Sequence, residues 1–347
     1  MEQLLLREKI TLDSANIEKY ILKKKALITG AAGSIGSELL KQLIAFDTAQ
    51  LLAIDQNEAG IHTLQSTYRS HPNVTPLLAD VTDSEEMERI FQDFRPQIIF
   101  HAAAYKHVTL LEAQPHTAVK NNTIATKILA DLAVENGIEK FIFISTDKAV
   151  NPISIMGMSK RISELYLLSL SEKQIATQFV ITRFGNVLGS SGSVVPIFNR
   201  HIELNEPVPV THPAATRYFM TACEAAQLVL ESVSVGRGGD IMIFDMGQPL
   251  LILDLAYRLG KLHHSKTGKV IEIRFIGLQP GEKMHEELSH SYEKEVRNHA
   301  GKMKVLRTDH GHLPKIYKEI GLLHDKLATI VKPDQLNEIL RNIFGIH

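Results

Sequence analysis

The sequence predicts an α/β protein: a doubly wound parallel sheet with a smaller C-terminal lobe that completes a substrate site. Three observations carry this expectation. Apolar runs of strand length alternate with helical patterns as far as about residue 182, and the first run ends in closely spaced glycines. After Arg183 the alternation gives way to Gly185-Asn186-Val187-Leu188-Gly189-Ser190-Ser191-Gly192-Ser193, rich in glycine and serine. Strands that are apolar on both faces and separated by helices form parallel sheets covered on both sides, with ligands beyond the carboxyl ends of the strands.

Taken in order, residues 1–24 form an N-terminal arm, and Lys25-Ala26-Leu27-Ile28-Thr29 is the first strand. It ends in Gly30-Ala31-Ala32-Gly33-Ser34-Ile35-Gly36, a tight turn into a helix. Gly30, Gly33 and Gly36 let the backbone approach a pyrophosphate and pack the helix onto the strand, while Ser34 and Ile35 open a helix N-terminus that favours phosphate charge. Leu51 to Ile54 is a second strand closed by Asp55, about twenty residues past the last glycine, where a carboxylate can bind the adenosine ribose. Gln56 and Asn57 follow, with no arginine to meet a 2′-phosphate, so the implied cofactor is NAD.

Three further strands end in chemistry. Leu77-Leu78-Ala79 stops at Asp80-Val81, Gln97 to Phe100 runs into His101-Ala102-Ala103-Ala104, and Phe141 to Ile144 stops at Ser145-Thr146-Asp147-Lys148. Residues 25–182 are therefore expected to hold NAD, with a returning segment near 220–262 that includes the strand-like Ile241 to Phe244. Residues 183–219 and 263–347 are expected to form the substrate lobe, with a lid near 185–193 and an amphipathic capping helix from Pro333 to Phe344.

Composition narrows the class. The 347 residues suffice for a large core, and 38 Lys+Arg against 39 Asp+Glu leave no strong field to attract nucleic acid or an anionic membrane. The partner is a small molecule. Cys223 is the single cysteine, and no run approaches the ~18 apolar residues of a membrane span. With Glu2, Arg7, Glu8 and Lys9 where a signal peptide would be apolar, the expected location is the cytoplasm. No metal is expected: His285 and His290 are five apart, not the four of a zinc pair on one helix face, while His263-His264 and His310-Gly311-His312 resemble solvated loops.

The residues resemble a family, the extended short-chain dehydrogenase/reductases of the Rossmann fold, and within it the CapD-like polysaccharide-biosynthesis group of nucleotide-sugar 4,6-dehydratases. The likeness covers nearly the whole chain. It rests on Thr29 to Gly36, His101 to Val108, Ser145 to Pro152, Met156 to Arg161, Arg183 to Ser190, Thr216 to Met220 and Pro280-Gly281-Glu282-Lys283. Leu4 to Asp13 also resembles the segment that joins the catalytic part of larger members to a membrane-anchored region, which implies a soluble form or an excised catalytic portion. Gln279 stands where the family pattern has arginine, and Ala125 where it has glycine.

Met156 lies four residues before Lys160, where many nucleotide-sugar oxidoreductases carry a tyrosine. A thioether cannot shuttle a proton, so acid–base work falls to the neighbouring Asp147 and Lys148.

The resemblance implies UDP-N-acetylglucosamine as substrate and a UDP-2-acetamido-2,6-dideoxy-4-ketohexose as product. Hydride leaves sugar C4 for NAD, the new ketone acidifies the C5 proton, water is lost across C5 and C6, and hydride returns at C6. Asp147 is the expected acid for the leaving hydroxyl and Lys148 the base at C5, which requires an amine that releases its proton in a desolvated site. Thr146 would bind the C4 oxygen, and Lys160 the nicotinamide ribose. Tyr105, Lys106, Asn186 and Glu282 are expected around the sugar nucleotide. Arg183 and Arg217 are expected on its diphosphate or uridine, because a guanidinium clamps phosphate bidentately. Asn122 is given a supporting role. The apolar helices near 117–134 and 155–170 are expected to pair with a second copy in a homo-oligomer. Two other functions share these features: a sugar 4-epimerase or oxidoreductase, and a nucleotide-binding regulator without catalysis.

Overall fold

The computed structural model describes residues 14–173, 176–268, 270–299, 302–308 and 333–343. The leader Leu4 to Asp13, His310, His312 and Phe344 lie outside them. Nine strands form one sheet: β1 Lys25–Thr29, β2 Gln50–Asp55, β3 Val74–Leu78, β4 Ile98–His101, β5 Lys140–Thr146, β6 Gln178–Phe184, β7 Ile241–Phe244, β8 Glu293–His299 and β9 Met303–Thr308. Their spatial order is β8-β9-β7-β6-β5-β4-β1-β2-β3. From β3 to β7 all pairings are parallel, the arrangement of a doubly wound sheet whose strand order reverses beside β1. Register puts Thr29 opposite both Ile54 and His101, so the carboxyl ends of β1, β2 and β4 stand level.

Period-two alternation sends successive side chains to opposite faces and builds two cores. Ala26, Ile28, Phe100 and Ile142 pack beneath α2 (Ser34–Leu43) and α9 (Ala222–Val235). Leu27, Ile99, Phe141 and Phe143 pack beneath α6 (Ala125–Glu135) and α7 (Ile155–Ser171). Between them in sequence lie α3 (Glu58–Thr67), α4 (Ser84–Phe94) and α5 (Val108–Ala113). Before β1, α1 (Ser14–Ile21) buries Ile17 and Ile21 in the first of these cores.

Helix α7 is buried from Ile155 to Leu170. It starts at Ser154, whose Oγ accepts the Gly157 N–H at 3.0 Å, an N-cap that satisfies one orphan donor. Leu336 and Leu340 of α11 (Pro333–Ile343) belong to the same core and help enclose it.

A third core, with Val195, Phe198, Val208, Val210, Leu255 and Leu259, lies in the smaller lobe between α8 (Val194–Glu203) and α10 (Ile252–Thr267). One expectation changes here. Residues 293–308, assigned from sequence to the substrate lobe, instead form the antiparallel hairpin β8–β9 that extends the main sheet beyond β7. Lys294, Glu295 and Arg297 obscured that strand in the sequence; on an edge strand charged side chains face water and discourage further pairing. No described helix is long and apolar enough to cross a membrane.

Candidate active site

A cavity of about 500 Å³ opens at the carboxyl ends of β1, β4, β5 and β6. Gly30, Gly33, Ser34, Ile35 and Gly36 form one wall. Gly30 has φ +66°, and a Cβ there would sit 2.5 Å from the Ala103 backbone nitrogen, so the turn excludes any side chain. The N-cap of α2 is Gly33, which makes no side-chain cap hydrogen bond. The first-turn N–H groups of α2 thus suit a diphosphate at this wall.

Asp55 braces the glycine turn: Oδ2 accepts the Ala32 N–H at 2.9 Å and Oδ1 the Asn57 N–H at 2.9 Å. Each oxygen keeps a lone pair for a ribose hydroxyl. Asp80 Oδ1 accepts from the Thr82 N–H at 2.9 Å, and neither Asp80 nor Val81 lines the cavity. Ala102 and Ala104 line it; Ala103 sits behind, against Gly30.

The segment Val119–Ile124 before α6 is a π-helical turn, a distortion that frequently marks functional sites. It aims Asn122 at the opposite loop: Oδ1 accepts the Tyr105 N–H at 2.8 Å, and Nδ2 donates to Tyr105 O and Ser159 Oγ, both at 3.0 Å. Asn122 thereby joins the Tyr105–Lys106 wall to α7. Tyr105 Oη in turn accepts from Gln56 Nε2 at 2.7 Å, so the cavity's upper edge is tied to β2.

Beyond β5 the chain makes a 3₁₀ turn, Asp147–Ala149. Thr146 Oγ1 donates to Asp147 Oδ1 at 2.9 Å and accepts the Lys148 N–H at 3.3 Å. Lys148 Nζ lies 3.0 Å from Asp147 Oδ1, 3.1 Å from Asn186 Oδ1 and 3.3 Å from Glu286 Oε1. Thr146, Lys148 and Asn186 line the cavity; Asp147 is fully buried behind them, its Oδ2 without a hydrogen-bond partner among the described residues.

These partners overturn the expected lowering of the Lys148 pKa. Burial favours the neutral amine, but the Asp147 and Glu286 carboxylates outweigh it and hold the pKa above its ordinary value, with Arg217 opposing weakly. Burial lowers the pKa of Lys106, also at the cavity, that of Lys140 to about 8, and most strongly that of Lys160. Lys160 Nζ sits 3.8 Å from the Phe143 ring centroid, and burial brings its pKa to about 7 although Glu164 pulls the other way. Met156, one helical turn earlier on α7, is buried and lines the same cavity.

Three expected substrate contacts lie elsewhere. Arg183 is fully buried and does not meet the cavity: it donates to Glu164 at 2.7 and 2.6 Å and to Glu293 at 2.7 and 2.8 Å. Its charge neutralises interior carboxylates, not a diphosphate. Arg217 is also buried, 2.8 Å from Glu282 Oε1 and within reach of the Thr216 and Met284 carbonyls, and neither it nor Glu282 lines the cavity.

Sequence reasoning missed Glu286, which lies between the two histidines rejected as a zinc pair, and His107, which lines the cavity beside Gly192. The nearby Pro280 to Lys283 motif was the available cue to Glu286.

Comparison with known proteins agrees with this architecture. The chain is 41% identical over 343 residues to the capsular polysaccharide biosynthesis protein CapD of Staphylococcus aureus, covering 98% of this chain and 56% of that protein. It thus spans about half the length of that curated relative. The X-ray structure of Pen from Bacillus thuringiensis superimposes with a TM-score of 0.75 at 27% identity, over 84% of this chain and 90% of that one. A double mutant of DesIV, a dTDP-glucose 4,6-dehydratase from Streptomyces venezuelae, solved with NAD bound, shares the fold with a TM-score of 0.67 at 21% identity, over 76% and 88% of the two chains. A model of the polysaccharide biosynthesis protein family matches residues 26–308, and the chain belongs to that family.

Proposed function

We propose that this chain is an NAD-dependent nucleotide-sugar 4,6-dehydratase that converts UDP-N-acetylglucosamine to the 4-keto-6-deoxy sugar nucleotide in the cytoplasm, for surface-glycan synthesis. The observation that carries this reading is Lys148 at the cavity wall with Asp147 3.0 Å behind it, beside a methionine where an oxidoreductase needs a phenol. NAD, when bound, supplies a hydride acceptor for C4 and a hydride donor for C6. The residues that would hold it are the 30–36 turn, Asp55, Ala102–Ala104 and Lys160. Residues 25–182 and 220–262 would carry the cofactor, and the segments around 183–219 and 263–292 the sugar nucleotide.

The resting ion pair becomes the working acid and base when substrate expels water. Low dielectric disfavours both charges, so the proton on Lys148 Nζ passes to Asp147 Oδ1, 3.0 Å away. The neutral amine then takes the C5 proton, and the Asp147 carboxyl gives its proton to the departing C6 hydroxyl, which leaves as water. Oxidation at C4 also frees the O4 hydroxyl proton to solvent. Lys148 returns the C5 proton as hydride is delivered to C6 and then takes one proton from solvent, so the sugar loses one water, the cofactor is regenerated and the resting ion pair is restored. Thr146 Oγ1 orients the C4 oxygen.

An epimerase needs proton transfer at O4 and no C5 base, which makes this pair superfluous. The test is incubation of the protein with NAD and UDP-N-acetylglucosamine, followed by mass spectrometry and NMR of the product. Loss of one water and a C6 methyl are expected; inversion at C4 with unchanged mass, or binding without turnover, would overturn the reading.

A further inference from the structure

The segment that follows the Pro280 to Lys283 motif runs against the catalytic turn and is tied to it repeatedly. Lys283 Nζ donates to Val150 O at 2.8 Å, Asn151 Nδ2 donates to Glu287 Oε2 at 2.9 Å, and His290 Nδ1 lies 3.0 Å from Asn151 Oδ1. Asn151 has φ +41°, a conformation that persists when its surroundings fix it. Between these braces Glu286 points the other way, toward Lys148 Nζ at 3.3 Å.

Glu286 differs in kind from its neighbours. Its side chain is 2% exposed against 54% for Glu287, and its Oε2 has no hydrogen-bond partner among the described residues. A buried carboxylate normally stays ionised only beside a cation. Two cations are present. Arg217 is already satisfied by Glu282 at 2.8 Å and by two backbone carbonyls, and stands 3.7 Å from Glu286. Lys148 is nearer.

We propose that Glu286 is a positioning residue for Lys148: its carboxylate fixes the amine at the cavity wall and sets the pH at which that amine gives up its proton. The charged groups facing Lys148 are Asp147 from its own turn and Glu286 and Arg217 from the smaller lobe, with the neutral Asn186 as a further acceptor. Asp147 is the proton's partner during reaction, whereas Glu286 reaches Lys148 from a separate segment and keeps the free enzyme's lysine charged until substrate displaces water. The proposal rests on the dehydratase reading only for what Lys148 does to the sugar.

The test is the pH dependence of Lys148 acylation by acetic anhydride in the NAD-free protein, read by peptide mass spectrometry. It needs no turnover, so failure of UDP-N-acetylglucosamine as substrate would not disturb it. In Glu286→Gln the labelling midpoint is expected to fall by about one pH unit, while Glu287→Gln, which removes an exposed carboxylate from the same segment, leaves it in place. Glu286→Asp keeps the charge but withdraws it, and shifts the midpoint the same way by less. With UDP-N-acetylglucosamine the inflection in kcat moves with the label and KM stays within about threefold, whereas a purely structural role lowers kcat without moving the inflection. A midpoint unmoved in both Glu286 variants, or moved equally in Glu287→Gln, would overturn the proposal.

Discussion

Arg183 grips Glu164 through Nε at 2.7 Å and Nη2 at 2.6 Å, with both side chains fully buried. Glu164 also accepts from Arg161 at 2.7 Å and from Ser145 Oγ at 2.6 Å, so the network reaches the strand that delivers Asp147. Removing one partner of such a network strands an interior charge, which costs about 3–5 kcal/mol. Glu164→Gln is expected to lose stability on that scale in denaturant unfolding, and Arg183→Lys to behave similarly, because an ammonium cannot supply the bidentate fork.

The same network fixes the acid limit of stability. Burial alone would raise the Glu164 pKa, but Arg183 and Arg161 bring it from 4.5 to about 2. A carboxylate depressed in the folded state stabilises above its unfolded pKa and loses that contribution as pH falls through the folded value. The window for Glu164 is therefore pH 4.5 to about 2. His290, held to about 4 chiefly by burial, resists protonation in the fold and adds a loss between 6.5 and about 4. Melting temperature should fall from about pH 6 downward, and Glu164→Gln should flatten the lower part of the curve.

Asp147→Asn and Lys148→Ala are each expected to slow water loss by about 10²-fold or more, the usual worth of general acid–base catalysis. NAD affinity, measured by calorimetry, should be unchanged, since neither side chain belongs to the glycine-turn wall. Turnover at the parent rate in both would refute the assigned chemistry.

Met156→Leu should retain turnover within about threefold and cost less than about 1.5 kcal/mol, because a volume-conserving swap removes no proton-bearing group. A loss approaching that of Lys148→Ala would show that the thioether does more than fill space.

Gly30→Ala is expected to abolish NAD binding. It forces a side chain into a left-handed residue and against the Ala103 backbone at 2.5 Å, so the turn itself must move. Titration of NAD into the variant decides the point, with circular dichroism to verify folding.

The parallel sheet and the glycine turn were legible because their cues are local: apolar runs of strand length, glycines at fixed offsets, and polar residues where each run stops. At those stops Ser145, Thr146 and Lys148 face the cavity, whereas Asp55, Asp80, His101 and Asp147 do not line it. Arg183 was misjudged because a guanidinium suits buried carboxylates as well as phosphates, and only tertiary packing reveals Glu164 and Glu293. The hairpin β8–β9 was hidden for a related reason, since joining β7 is a pairing across distant sequence. Glu286 acquires meaning only through Lys148, far earlier in the chain. The proton affinity of Lys148 was likewise unreadable, being set by the charges that the fold gathers round it.

Helix α11 lays Leu336 and Leu340 into the core that contains α7. That flank of the core is thereby closed from within the chain, so α11 shields from water an apolar surface that the sheet and its crossover helices leave uncovered.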